Sequence, residues 1–227
     1  VAGGDFILEA GASIDVTSRG YTGSKGPGFG NYTASHGGRL GADYGSCYGS
    51  LACPTNHGSG ADRGRCGGGA VRVAAQGALL VNGTIAADGQ WISGEYNSGS
   101  GGSVWLSGAT LEGSGTVSAN GAKTTYGYSG SGGRVAVHLT QPTDFSVCTV
   151  KFSAHGGEAE STGHGGPGPA GTIYLESAGK STVIVDNANL SYHNNGTSSG
   201  FAEFSSTDGS DHFDTLIVRN NAGVKFL

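Results

Sequence analysis

Two short segments gather side chains that could do chemistry. Asp208, Asp211, His212 and Asp214 crowd one loop with the oxygen donors that calcium takes. His155, Glu158, Glu160 and His164 form a second cluster. Neither has EF-hand spacing or the nonapeptide calcium repeat. Calcium at Asp208, Asp211 and Asp214 is therefore the weaker reading beside solvated polar turns, and no cofactor is expected. Cleaving a polysaccharide would need paired carboxylates projecting from neighbouring strands. Equivalent strand positions instead carry Arg72, Trp105, Ala136 and Tyr174, and neither G-x-S-x-G nor H-E-x-x-H occurs. A lyase or hydrolase is the remoter expectation, and the chain reads as no enzyme.

Residues suited to binding are more prominent. Tyr21, Trp91, Tyr96, Tyr126 and Tyr128 each follow a similar pentapeptide. If those pentapeptides stack, the rings align along one edge and can lie against sugar rings or a neighbouring chain. The plainer account is that they cover glycine-rich loops. Asn-x-Ser/Thr occurs at Asn31, Asn82, Asn189 and Asn195, glycan acceptors if the chain passes a eukaryotic secretory route. Asn82-Gly83 is equally a favoured hairpin turn. Cys47, Cys53 and Cys66 share one glycine-rich stretch, and Cys148 lies later. In a chain this poor in charge they suggest an oxidising compartment, with a bridge among the first three or between Cys66 and Cys148. Spacing does not decide the connectivity. Zinc is disfavoured, because the tight cysteine pairs of structural zinc sites are missing.

The elements that must position these residues are repeats. A glycine followed two residues later by a β-former recurs at Gly69/Val71, Gly102/Val104, Gly133/Val135 and Gly171/Ile173, in steps of 33, 31 and 38 residues. The pentapeptides VTSRG (16–20), IAADG (85–89), VSANG (117–121) and FSAHG (152–156) keep nearly the same period. Each unit is too small to bury an apolar face alone, so neighbours must stack. The spacing predicts an all-β chain, a parallel β-helix or β-solenoid with glycine-rich loop insertions, as one unit over 1–227. Residues 21–66 read as a cysteine-containing insertion, and 169–190 as one more coil. Both ends lie in strand-like runs, which reads as a section of a longer array.

Composition sets outer limits. There are 46 glycines and 5 prolines without a G-X-Y period, which excludes collagen. The periodic apolar triplets argue against disorder. A net charge of −5 offers no basic stripe for nucleic acid, and no apolar run is long enough for a membrane span.

The ordered set Ser35-His36-Gly37-Gly38, Tyr48-Gly49-Ser50, Pro54, Gly58-Ser59-Gly60, Gly67-Gly68-Gly69-Ala70-Val71-Arg72-Val73 and the following NGTI…ANG strand pair resembles a motif of glycine-rich secreted and cell-surface β-helical repeat proteins of bacteria, protists and plants. The resemblance covers about residues 30–122. It implies an extracellular or cell-surface location and a repeat architecture more than an activity. The cysteines are not part of that pattern. Together these features predict a structural or adhesive extracellular protein, self-associating into filaments or arrays. A carbohydrate-binding adhesin using the aromatic edge is the alternative.

Overall fold

Residues 1–30, 33–41, 43–94, 96–160, 165–190, 200–204 and 211–227 are described by a computed structural model of the chain. Its strands are short because glycine and small polar residues interrupt every apolar run. In order they are β1 (Phe6–Leu8), β2 (Ser13–Asp15), β3 (Phe29–Gly30), β4 (Thr33–Ala34), β5 (Gly38–Arg39), β6 (Ala70–Ala74), β7 (Leu79–Val81), β8 (Thr84–Ala86) and β9 (Ser103–Gly108). There follow β10 (Leu111–Glu112), β11 (Thr116–Ser118), β12 (Arg134–Leu139), β13 (Lys151–Ser153), β14 (Thr172–Ser177), β15 (Lys180–Asp186), β16 (Phe201–Phe204), β17 (Thr215–Arg219) and β18 (Val224–Phe226). No described helix is long and apolar enough to cross a membrane.

The repeat does set strand register in the middle of the chain. β6, β9, β12 and β14 lie side by side in parallel, which puts Val71, Val104, Val135 and Ile173 in one row. β2, β8, β11 and β13 align Ile14, Ile85, Val117 and Phe152 in a second row. β1, β7 and β10 align Phe6, Leu79 and Leu111 in a third. The three rows meet in one apolar core, where Leu79, Ile85, Val104, Val117 and Val135 are fully buried.

Two local devices hold adjacent repeats together. In three of the repeats the glycine two residues before the β-former donates its amide to the third residue of a pentapeptide: Gly102 N to Ala87 O, Gly133 N to Ala119 O and Gly171 N to Ala154 O, each at 2.7 Å. At the fourth pentapeptide position a side chain caps the neighbouring repeat. Asp88 Oδ1 accepts from Asn120 N at 2.6 Å, and Asn120 Oδ1 accepts from His155 N at 3.1 Å. An Asp or Asn there satisfies a backbone N–H that the corner would leave unpaired.

The parallel β-helix expected over the whole chain is not what forms. The described strands sort into five sheets, some parallel and some mixed or antiparallel, and these do not make a solenoid. The segment 169–190 is a hairpin rather than a further coil: β15 returns antiparallel on β14, pairing Ser177 with Lys180. The cause is the two-residue turn between them. Ala178 (φ 49°) and Gly179 (φ 76°) both take left-handed backbone, as a tight primed turn requires. β16 is likewise antiparallel to β5, and β3 and β4 form a second antiparallel pair.

The described residues of the stretch 21–66 are folded without a cystine. All four cysteines are free thiols. Glycine backbone takes their place: Gly20 N donates to Gly67 O, Gly58 N to Gly68 O and Gly37 N to Gly132 O. His36 is completely buried, stacked on Tyr48 with centroids 4.5 Å apart. Its Nδ1 lies 2.8 Å from Gly101 O, and burial holds its basicity down at about 3, so the ring is neutral and Nδ1–H donates.

Candidate functional site: an exposed aromatic edge

Three of the five expected edge residues come together. The loops after IAADG and VSANG run side by side, joined by a parallel bridge between Tyr96 and Tyr126. Their rings lie 5.3 Å apart at 35°, and they are 42% and 44% exposed. Trp91, 42% exposed, belongs to the same surface: Lys123 Nζ sits 4.2 Å from its ring centre. The backbone beneath is pinned by Asn97. Its Nδ2 donates to Asp62 Oδ1 at 3.0 Å, and its Oδ1 accepts from Tyr128 N at 2.8 Å. Gly94 N also donates to Thr125 Oγ1 at 3.1 Å, linking the two loops at their tips. The rings are thus held on fixed backbone, which lowers the ordering cost of binding a ligand.

The charges around these rings cancel. Lys123 pairs with Glu160 at 2.8 Å, and Glu160 also accepts from Thr125 Oγ1 at 3.0 Å. The hydrogen bond from Lys123, with that from Thr125, holds the Glu160 carboxyl below its usual range. Arg63 lies over Tyr96 at 5.3 Å and beside Asp62 at 3.7 Å. Among the described residues beside the rings, two cations against two carboxylates leave no net charge. The edge therefore offers aromatic faces and hydrogen-bonding groups without demanding a charged ligand.

The other two tyrosines go elsewhere. Tyr21 packs edge-on against His57 at 6.2 Å, and Tyr128 is half-buried against Tyr44 at 5.4 Å. Of the cluster at 155–164, Glu160 reaches the edge. His155 Nδ1 lies 2.6 Å from Gly156 O, and His164 falls outside the described residues. Asp214 is occupied by Ser181, whose N and Oγ donate to Oδ2 at 2.8 and 3.2 Å. Asp211 lines a separate cavity beside Arg134, and Asp208 lies outside the described residues. Among the described residues no group of three or more His, Cys, Asp or Glu could hold a metal ion. Asn82 is half-buried with Oδ1 accepting from Ser114 N at 3.1 Å, and Asn189 is exposed. Asn31 and Asn195 lie outside the described residues. Cys53 is exposed; Cys47, Cys66 and Cys148 are half-buried, and Cys148 packs on the apolar core.

One cluster was signalled only in part: the repeat puts Arg72, Trp105 and Tyr174 at equivalent strand positions, and nothing in the sequence marks His138 as their neighbour. On the face of the six-stranded sheet opposite the core, Arg72 lies 4.0 Å from the Trp105 ring centre, and His138 packs between Trp105 and Tyr174. His138 Nδ1 is 3.1 Å from Glu176 Oε2, and Nε2 is 2.6 Å from Ala52 O. Both ring nitrogens thus face oxygen atoms, one on the loop and one on β14. Tyr174 donates to Glu176 at 2.9 Å, and burial with that bond pushes its hydroxyl up to about 12. Leu51, fully buried beside Ala136 and Tyr174, anchors the cysteine-bearing loop over this face. The bond from His138 to Ala52 makes the cluster a clasp for that loop. Compared with known proteins, the chain matches no family model, no curated protein and no solved structure.

Proposed function

We propose that this chain is an adhesive, carbohydrate-binding protein of the cell exterior, holding a neutral polysaccharide across Trp91, Tyr96 and Tyr126. The observation that carries the reading is the exposed Tyr96–Tyr126 pair on hydrogen-bonded neighbouring loops. Aromatic faces stack on the apolar faces of sugar rings, and a flat row of them suits an extended polymer. The paired charges of Lys123 with Glu160 and Arg63 with Asp62 beside the rings favour a neutral glycan over an acidic one. The glycine-rich pattern from Ser35 to Val73, similar to that of secreted surface proteins, supports the location.

Affinity electrophoresis in gels cast with soluble neutral polysaccharides tests this. The wild type is retarded by at least one of them. Trp91→Ala, Tyr96→Ala and Tyr126→Ala each weaken binding about two- to tenfold, the worth of one aromatic contact. Tyr21→Ala leaves it unchanged. Equal mobility of wild type and all three edge variants would sink the reading.

A second reading, self-association, is favoured by one observation. The sheet edges at β17 and β18 expose Ile217, Val218 and Phe226, at 37%, 41% and 56%. Unpaired apolar strand edges template pairing with another chain. Concentration-dependent sedimentation, reduced by Val218→Lys, is the expected result; a single species at all concentrations opposes it.

A further inference from the structure

Burial falls along one row of the six-stranded sheet. Ile173 on β14, Ile184 on β15 and Ile217 on β17 are register partners and share the core side of that sheet. Ile173 is 5% exposed within the apolar core, Ile184 is half-buried against it, and Ile217 is 37% exposed. The two sheets that complete the core end at β13 and β10. The Ala178-Gly179 turn carries the large sheet past them, and its core side opens there as a groove of about 1110 Å³.

The segment 142–146 forms the facing wall. Phe145 packs on the core, and the backbone is fixed: Thr143 N donates to Ser177 Oγ at 2.6 Å, and Gln141 N donates to Ala109 O at 3.1 Å. Three charged side chains line the groove: Asp144 on this wall, and Lys180 and Arg219 on the strands opposite. Arg219 is taken by Asp186 at 2.7 Å. The Lys180 side chain is 84% exposed, with Asp214 at 3.6 Å, and Asp144 forms no ion pair with a described residue. Next to the same wall Val147 is 74% exposed, the most exposed large apolar side chain of the described chain after Val1.

A groove with a carboxylate and a cation on opposite walls, beside a protruding apolar side chain, is complementary to itself under a two-fold rotation. β17 is both the free edge of the sheet and the rim of the groove, so the groove is continuous with the edge that favours pairing. We propose that a second copy of the chain fills this groove across a two-fold axis: Val147 of each copy enters the groove of the other, and Asp144 of each meets Lys180 of the other. This rests on the self-association reading and gives it a seat, a symmetry and a size. The contact closes at two copies, because each copy uses its own groove and its own Val147 at once.

Sedimentation over a range of protein concentrations tests it. The wild type shows monomer and dimer only, and the dimer weakens as salt rises. Asp144→Lys and Lys180→Glu each raise the dimer Kd about tenfold, the worth of two exposed pairs turned repulsive. The double variant recovers the wild-type Kd, and so does an equimolar mixture of the two single variants. Val147→Asp raises Kd at least about tenfold by placing a charge in the apolar groove. Should Asp144→Lys disturb the turn in which Asp144 accepts from Ser146 N, Lys180→Glu and Val147→Asp, both at exposed positions, decide. A monomer at every concentration overturns this proposal and the self-association reading together. Association that Val218→Lys weakens but these variants leave unchanged overturns this proposal alone, as does an open series of species larger than a dimer.

Discussion

Gly101→Ala probes how neighbouring repeats are joined. Gly101 is buried, and a Cβ built on it falls 2.6 Å from Ala119 C and 2.7 Å from Gly133 N, nearer still to Ala119 O. Those atoms belong to the hydrogen bond from Gly133 N to Ala119 O. All are backbone, so no side-chain rotation relieves the clash. Overpacking of this kind costs about 1–3 kcal/mol, and a buried hydrogen bond pried open adds about 1–3 more. The expected loss is about 2–6 kcal/mol in urea unfolding. For a chain of this size that lowers Tm by about 4–24 °C. Gly68 and Gly132 occupy the matching positions, against Gly102 N and Gly171 N, and should behave alike. Gly4→Ala is the control: nothing lies within 4 Å of its added Cβ, and it should stay within about 0.5 kcal/mol of wild type. Equal stability of Gly101→Ala and Gly4→Ala would refute the close-approach argument.

Two further outcomes follow from burial. His36 binds its proton near pH 3 in the folded chain, against about 6.5 when unfolded. Its contribution is therefore complete above about pH 6.5 and drains away as pH falls toward 3. Between pH 7 and pH 4 the wild type should lose on the order of 3 kcal/mol more stability than His36→Gln, and parallel pH profiles would contradict this. Burial pushes the Cys47 thiol up to about 11, whereas Cys53 is exposed. Iodoacetamide at pH 8, mapped by mass, should label Cys53 in the native chain and Cys47 mainly after unfolding; equal labelling rates would count against the packing described.

The sequence-level expectations succeeded where the period was written in residue type. The Gly-x-Val triplets and pentapeptides place Val71, Val104, Val135 and Ile173 in one row. They failed where one small turn outweighs a long pattern. TIYLES and KSTVIVD look like further repeat strands, yet Ala178-Gly179 folds one back on the other. The cysteines suggested covalent closure, whereas the insertion is held by glycine backbone and a buried His36. The aromatic edge was half legible. Trp91, Tyr96 and Tyr126 share a surface, but Tyr128 turns inward onto Tyr44, a residue of the insertion. His138 with Glu176 and Ala52, and Arg134 with Tyr48, were invisible. These contacts join residues up to 86 positions apart, and only strand register and the folded loop bring them together.

The binding proposal is tested most directly by mapping where a sugar touches the chain. With an isotopically labelled chain and a neutral oligosaccharide drawn from any retarding polysaccharide, amide shifts should concentrate at residues 91–97 and 123–128, and ring protons of Trp91, Tyr96 and Tyr126 should show saturation transfer. Shifts scattered over the surface, or centred away from these two loops, would contradict it.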